Sequence, residues 1–506
     1  MAIESFLLEY RVRILATVTV LLVAIAVLRG VLRSFRIRRQ FPGPPVNSFW
    51  KGNLDETLAD DVHEKWRLWH RVHGPVFQTM NGPFSRTIYI GNPKIIARIL
   101  NANWPKAAVQ YEGFKPLSGN ALFTQMDHQR WHKQRKSLSP AFGPGVVNTQ
   151  LSSLQRYLPQ YVNLLDQAAS QNTIVDFSLL NTLLTLDFIG EVAFGIDLHA
   201  LEQGSSCRIM KIFEIVLPEL MKCGLFPLRA KIPVCKSTRE MHRAISELRG
   251  MAAHAVESSR SKDDSLLPQS KSEKRIFEIL ARKKDSRGNY VFSSEELVDN
   301  YVTFLVAGGD PTAHTITFAI YEIIRHPEVL KELRVELDRA TSLDEKISST
   351  TQVKSPYLNA IIKETMRMHG PGFGTFRYCE EDTEIEGIKL PANTTLALWN
   401  PQVHRDPNTW GPDADVFRPE RWTNNAEPPQ PGAYFPFSYG PRNCLGQGLA
   451  MLEMSLTLAT LFRQFDLAFE DGFEMEFLPS FTMCAKNGLR VQVSRRSRTV
   501  SSPKLS

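Results

Sequence analysis

Hydrophobic and polar positions divide this chain into an apolar run near the N-terminus and a long body of mostly helical periodicity. Apolar side chains in the body recur every three to four residues, which is the spacing of helices with one buried face. Shorter β-prone runs occur in both halves. The pattern therefore predicts a single, mainly α-helical domain with small β-sheets. The clearest helical segments are residues 293–324, 327–339, 357–368 and 448–465, and the β-prone runs are residues 76–90 and 383–399.

The apolar run covers residues 14–28 without a break, and it extends further if Arg29 carries its charge to the membrane surface. This length favours a membrane-spanning helix; a cleaved signal peptide is the alternative. Five arginines follow the run, whereas the two arginines before it are balanced by Glu4 and Glu9. Because positive flanks stay in the cytosol, we expect the body there. The predicted segments are a short luminal N-terminus (1–13), a transmembrane helix (14–32) and a basic, Pro-rich linker (33–46).

Charge and cysteine usage narrow the class of protein. The 506 residues carry a formal net charge of +7, but the excess lies in the two termini and the body between them is mildly acidic. This distribution argues against a nucleic-acid-binding face and is typical of basic segments beside a membrane. The six cysteines show no paired spacing, which indicates reduced thiols. Neither His314 nor His404 lies in metal-ligand spacing with another His or Cys.

One cysteine lies in a loop whose pattern specifies chemistry. The loop reads F-x-x-G-x-R-x-C-x-G, with Phe437, Gly440, Arg442, Cys444 and Gly446 at the fixed positions. A single thiolate can be the axial ligand of haem iron, glycines let the backbone wrap around the sulfur, and a nearby arginine can bind a haem carboxylate. An inert cysteine in a Gly-rich turn is the alternative. The spacing resembles the cysteine-ligand loop of the cytochrome P450 superfamily.

The resemblance covers nearly all of residues 40–495 and implies the cytochrome P450 fold behind a single N-terminal transmembrane helix. It implies haem b as the cofactor, with Cys444 as the metal ligand and Phe437 and Gly446 in the loop that binds the cofactor. The catalytic domain would then span residues 47–492, followed by a basic tail at 493–506. We expect the protein in the endoplasmic reticulum membrane, with the catalytic domain facing the cytosol.

A second set of residues resembles the family's contacts with the haem propionates. Trp131 and Arg135 form a W-x-x-x-R pair that shares one face of a predicted helix. The resemblance implies that both bind propionates, as do Arg377 and Arg442. An ordinary amphipathic helix is the alternative for the pair.

The pair Glu364 and Arg367 has the E-x-x-R spacing that brings two side chains together on a helix. The spacing alone carries no meaning, since it recurs at Glu64 and elsewhere. Its position ahead of Arg377 and Arg421 matches the family. The resemblance implies a buried structural network of Glu364, Arg367 and Arg421 behind the haem.

The stretch 307–310 resembles the oxygen-binding part of the family's long central helix, and its glycines suggest a local opening. Where the family has a threonine this chain has Pro311, and the hydroxyl comes one residue later at Thr312. The resemblance implies that Asp310, with Thr312, relays protons during catalysis. A helix break without a catalytic hydroxyl is the alternative.

The resemblance implies a monooxygenase that inserts one oxygen atom of O2 into an apolar organic substrate. The chain has no flavin or dinucleotide fingerprint, so a separate partner is expected to supply electrons. The resemblance implies that this partner is NADPH-cytochrome P450 reductase, with cytochrome b5 as a second donor. Taken as a whole, the sequence resembles fungal oxidases of secondary metabolism that act on terpenoids or polyketides. Two alternatives stay open: a haem-thiolate isomerase or dehydratase that does not activate O2, and a haem sensor without turnover. The predicted pocket walls are residues 109–123, 212–226, 304–312, 370–376 and 481–483.

Overall fold

The computed structural model describes residues 2–261, 276–340, 355–423 and 427–497, and side chains throughout these ranges except residues 2–8, 225, 227 and 340. The described residues form a mainly helical domain with small β-sheets, which confirms the predicted fold class. Most of the predicted basic tail, residues 498–506, lies outside the described residues.

The helices of the first half lie between residues 2 and 261. Their bounds are α1 (Ala2–Gln40), α2 (Leu54–Thr57), α3 (Val62–His73), α4 (Pro93–Asn101), α5 (Ala108–Glu112), α6 (Lys115–Ser118), α7 (His128–Leu138), α8 (Pro144–Thr149), α9 (Leu151–Gln171), α10 (Phe177–Ile189), α11 (Ala200–Gln203), α12 (Arg208–Leu225), α13 (Pro227–Lys231) and α14 (Lys236–Ser261).

The second half holds the longest helix of the body, α16, which begins at a capping box. The Ser293 hydroxyl accepts the Glu296 N–H (3.1 Å), and the Glu296 carboxylate accepts the Ser293 N–H (2.9 Å), so two free donors are satisfied. The helices are α15 (Ile276–Arg282), α16 (Ser294–Arg325), α17 (Pro327–Ala340), α18 (Pro356–His369), α19 (Asn400–Val403), α20 (Pro407–Trp410) and α21 (Gln447–Gln464).

The strands form four sheets among the described residues, and the largest joins the two halves of the chain. Its order is β1-β2-β7-β4; β2 and β7 are parallel, and Thr87 pairs with Thr395. The smaller sheets are β3-β11-β8, β5-β6 and β9-β10. The strands are β1 (Val76–Met80), β2 (Arg86–Ile90), β3 (Ile174–Asp176), β4 (Gly374–Cys379), β5 (Thr383–Ile385), β6 (Ile388–Leu390), β7 (Thr394–Trp399), β8 (Phe465–Phe469), β9 (Phe477–Pro479), β10 (Met483–Ala485) and β11 (Arg490–Arg495).

Helix α1 differs from the predicted anchor and linker. It continues through the predicted transmembrane segment into the basic stretch and ends at Gln40, so residues 33–40 of the predicted linker are helical. This end is docked on the body: Arg36 forms an ion pair with Asp382 (3.0 Å), and Ile37 is only 1% exposed within a core cluster. By length and composition, Glu9–Gln40 can cross a membrane.

Candidate active site

The loop before α21 holds Cys444 by its backbone. Gly440 has φ of +72°, and a Cβ there would lie 2.5 Å from the Leu100 carbonyl oxygen, so only glycine fits. The Cys444 N–H donates to the Phe437 carbonyl (2.7 Å), which closes the loop. A Cβ on Gly446, in contrast, would meet no protein atom within 4 Å. The protein's own packing therefore requires glycine at Gly440 but not at Gly446.

The Cys444 side chain is exposed although many protein atoms surround its loop. Burial raises the pKa of the Cys444 thiol. The N–H groups of Gly446 and Gln447 and the charge of Arg135 act in the opposite direction. These donors stabilise a thiolate once a metal cation binds the sulfur.

Helix α7 brings two of the predicted residues to this loop. The Arg135 guanidinium donates to the backbone carbonyl and side-chain oxygens of Asn443, at 2.7 and 2.6 Å. Arg442 lies with its guanidinium carbon 4.1 Å from the centroid of the Trp131 ring and donates to Asn103 (2.8 Å). Trp131 and Arg135 thus meet the cysteine loop from one helix, as their four-residue spacing predicts.

Arg377 reaches the same region from β4. It is only 1% exposed, and its Nη1 donates to the Thr375 hydroxyl (2.5 Å), while its Nε has no hydrogen-bond partner in the described part of the chain. Lys106 pairs with Arg377 across an isolated backbone bridge, and its ammonium lies 4.4 Å from the Tyr111 ring centroid. Sequence reasoning missed Lys106, because no motif distinguishes it from the surface lysines.

These cations lie close together, and no carboxylate among the described residues balances their charge. Burial lowers the pKa of Arg442 to about 10, with repulsion from Arg377 as the second cause. Burial and the same two arginines lower the pKa of Lys106 well below its usual value. A group of cations that depress one another's pKa, with one buried donor unpaired, fits a ligand that brings carboxylates.

The network predicted from Glu364 lies in the core, and its first two residues, Glu364 and Arg367, are on α18. Glu364 and Arg367 are joined by two hydrogen bonds of 2.8 and 2.9 Å, with both side chains fully buried. Arg421 lies 3.3 Å from the same carboxylate, and the Trp422 indole N–H donates to it (2.9 Å). Arg367 also donates to the carbonyls of His404 and Ala414. The carboxylate is therefore surrounded by donors and links α18 to the segment before the cysteine loop.

Helix α16 runs without a break through Pro311. Ala307 is exposed in the middle of this mostly buried helix, and Pro311, one turn on, is partly exposed, so the two form an accessible face. A Cβ on Gly308 would lie 2.6 Å from Ile189 Cδ1, so this glycine serves the close packing of α16 on α10. The expected local opening is not visible in the helix.

The two predicted relay residues do not meet. Asp310 is buried and lies 3.3 Å from His314 Nε2, and the Thr482 hydroxyl donates to its other oxygen. Thr312 is also buried, but two residues on a helix point to opposite sides, so it faces away from Asp310. Sequence reasoning missed both partners of Asp310. The four-residue spacing of Asp310 and His314 was the available signal for one of them.

Comparisons with known proteins identify the class of enzyme. The family model for cytochrome P450 matches residues 42–492. The crystal structure of the cytochrome P450DA heme domain superposes with a TM-score of 0.80 at 20% identity, covering 90% of this chain and 98% of that one. The chain therefore belongs to the cytochrome P450 family and is an enzyme of that type. Family and fold together imply a haem cofactor with thiolate ligation.

Three relatives illustrate the range of the family. A probable cytochrome P450 4d20 of Drosophila melanogaster is 30% identical over 76% of this chain and 79% of its own length. Cytochrome P450 4V2 of Rattus norvegicus is 26% identical over 95% of this chain and 94% of its own. A self-sufficient cytochrome P450 monooxygenase of Aspergillus kawachii is 27% identical over 91% of this chain, which spans 44% of that protein.

Proposed function

We propose that this chain is a haem-thiolate monooxygenase of the endoplasmic reticulum membrane that inserts one oxygen atom of O2 into an apolar organic substrate. The observation that carries the proposal is the meeting of Cys444 with cations that lack a carboxylate partner among the described residues. Haem brings what this arrangement lacks, since it supplies a metal for the thiolate and two carboxylates for the cations.

The residues around the cysteine loop would hold haem b. Cys444 binds the iron, and Phe437 and Gly446 flank the sulfur in the loop. Haem supplies the metal centre at which dioxygen is reduced. The propionates are bound by Trp131, Arg135, Arg377 and Arg442, and we add Lys106 to this group because it lies against Arg377.

Proton handling is proposed for the middle of α16. Asp310 is the acid, because it is the carboxylate one turn from the accessible face at Ala307. Thr312 remains a second proposed hydroxyl, although it faces away from Asp310. A relay of this type contributes about 10²–10⁴-fold to the rate. The proposal predicts that Asp310→Asn lowers product formed per NADPH consumed, with peroxide released instead, and that Thr312→Val tests the hydroxyl separately.

The substrate is proposed to be an apolar molecule, with terpenoids or polyketides of secondary metabolism as the first classes to test. Support comes from a chain of aromatic side chains in the predicted pocket walls. Phe114 lies edge-on to Phe123 and Phe481, with ring centroids 5.8 and 5.9 Å apart, and Tyr111 lies 5.4 Å from Phe123. Such a wall favours apolar rings and chains.

Electrons are proposed to come from NADPH-cytochrome P450 reductase, with cytochrome b5 as a second donor. One relative supports a reductase as the electron donor. This protein of Bacillus subtilis is named a bifunctional cytochrome P450/NADPH–P450 reductase, and this chain spans 39% of its length. The anchor and orientation are proposed from the apolar segment Glu9–Gln40 and the arginines at its C-terminal end. Protease added to sealed microsomes should then degrade the body; a protected body would contradict this orientation.

The function is tested by incubating microsomes that contain the full chain and the reductase with candidate lipophiles and NADPH. We expect a product 16 mass units heavier than its substrate, formed only with NADPH and O2. Pro311 favours one second candidate, a haem-thiolate isomerase or dehydratase, because it removes the hydroxyl that the family places there. Turnover that is indifferent to NADPH would support that candidate. Ligand binding without any turnover would support the sensor.

A further inference from the structure

Asp310 is fixed from two directions by residues of different elements. His314 lies one turn further along α16, with its Nε2 3.3 Å from one carboxylate oxygen. Thr482, in the turn between β9 and β10, donates its hydroxyl to the other oxygen. All three residues are less than one-tenth exposed. The carboxylate therefore has one donor from its own helix and one from the hairpin.

The surroundings of Asp310 decide its charge. Burial alone would raise the pKa of this carboxyl, but the charge and hydrogen bond of His314, with the hydrogen bond of Thr482, bring it below the ordinary value. Cys484 is the other titratable group that faces it, and burial, aided by Asp310, raises the pKa of that thiol to about 12. Cys484 therefore stays neutral, and His314 is the group that keeps Asp310 ionised.

Within the described part of the chain, the only polar contact of the buried His314 side chain is the one to Asp310. Its Nδ1 is buried and has no hydrogen-bond partner among the described residues, so Asp310 is its principal polar contact. Because both side chains are less than one-tenth exposed, this contact fixes the orientation of the carboxylate.

We propose that His314 is a positioning residue that holds the Asp310 carboxylate against Thr482 and thereby fixes the orientation in which Asp310 handles protons. This inference rests on the proposed role of Asp310. In this proposal His314 of α16 and Thr482 of the β9–β10 turn orient the carboxylate. The residue that follows Asp310 on the helix cannot do so, because it is Pro311 and has no hydroxyl.

The hairpin contact gives the pair a second consequence. Thr482 follows Phe481, whose ring lies 5.9 Å from that of Phe114 in the aromatic wall. Holding Thr482 on Asp310 therefore also holds this end of the wall against α16. Loss of the contact should therefore impair substrate binding as well as proton transfer through Asp310.

The test uses the full-length holoenzyme with two substitutions of His314. His314→Phe keeps a flat ring but removes both nitrogens, and burial should then make Asp310 neutral. We expect an infrared carboxylic-acid band that disappears in the His314→Phe/Asp310→Asn double variant. Product per NADPH should fall about tenfold, the low end for loss of an orienting partner. His314→Gln keeps a side-chain donor, so it should retain more of the coupling and show less of the new carboxylic-acid band than His314→Phe.

The control is His326→Phe. His326 lies at the end of the same helix, 3.3 Å from Glu322 in an equivalent four-residue pair. It should produce no new band and leave product per NADPH unchanged. If His314→Phe shows no new carboxylic-acid band, or keeps the wild-type product per NADPH, the proposal is overturned. Should His314→Phe fail to fold, His314→Leu removes the imidazole with a smaller side chain, and the absence of the new band in that variant overturns the proposal equally. If no variant or wild type forms product, the proposed function has failed, and the infrared result still decides the position of Asp310.

Discussion

At the scale of single residues, burial distinguishes side chains that the sequence makes look alike. Glu364-x-x-Arg367 and Glu64-x-x-Arg67 have the same spacing, and both form ion pairs. The first pair is fully buried and hydrogen-bonded on several sides, whereas the Glu64 side chain is 55% exposed. The spacing therefore predicts contact within each pair. Only the burial that the fold gives to Glu364 and Arg367 makes that pair important for stability.

We predict that Glu364→Gln lowers the free energy of unfolding by about 3–5 kcal/mol, because it leaves Arg367 buried without its counter-charge. Glu64→Gln, the matched control, should change it by less than about 1 kcal/mol. Chemical unfolding and haem content after purification measure both effects. Equal effects of the two substitutions would show that the Glu364 network does not stabilise the core.

A second prediction at this scale concerns His404, which is buried and accepts the Phe435 N–H (3.0 Å). Burial, with the nearby charge of Arg367, lowers its pKa to about 3. Between pH 6.5 and 3 the unfolded chain therefore binds a proton that the folded chain does not, so stability falls as pH drops through that window. Burial also lowers the pKa of His63 and His369, which act in the same direction.

From pH 7.5 to pH 5 the contribution of His404 to the free energy of unfolding should fall by roughly 2 kcal/mol. His404→Gln should remove this part of the pH dependence, as measured by chemical unfolding at the two values. His132→Gln, at an exposed position on α7, is the control and should leave the dependence unchanged. An unaltered slope in His404→Gln would contradict the assignment.

At the scale of elements, the C-terminal turns of α1 belong to the body. Ile37 and Phe41 lie in the core cluster with Ile88 of β2, and the Ser34 hydroxyl accepts a hydrogen bond from Arg86 (2.9 Å). The sequence predicted a basic, Pro-rich linker here, which would act as a semi-rigid spacer between the membrane and the body. The buried face at the end of α1 consists of single apolar residues between charged ones. A segment this short has no clear periodicity, so the sequence did not show that it packs on the body.

Two truncations separate anchoring from folding. Removal of residues 1–28 should release the protein from membranes at little cost in stability. Removal of residues 1–40 should release it equally but lower the free energy of unfolding by about 2–5 kcal/mol, because it takes Ile37 out of the core. Membrane fractionation and thermal unfolding measure the two effects. Equal unfolding temperatures for the two truncations would show that the end of α1 does not stabilise the body. Arg36→Ala, which removes the exposed ion pair with Asp382, should cost less than about 1 kcal/mol.

At the scale of the whole molecule, the sequence could predict what is local. Helical periodicity located α16 and α18, and fixed spacings placed Cys444 in its loop and Trp131 beside Arg135. Contacts between distant segments could not be predicted this way. The parallel pairing of β2 with β7, the approach of Lys106 to Arg377 and the bond from Thr482 to Asp310 join residues more than a hundred positions apart. Such pairings depend on topology, which no local pattern encodes.

The central claim is that Cys444 is the thiolate ligand of a haem held by the surrounding cations. The most direct test is the absorption spectrum of the reduced protein with carbon monoxide. We predict the strongly red-shifted Soret band of thiolate ligation in the wild type, its loss in Cys444→Ser, and its retention when Cys379 or Cys484 is replaced instead. Retention of the band in Cys444→Ser would contradict the account.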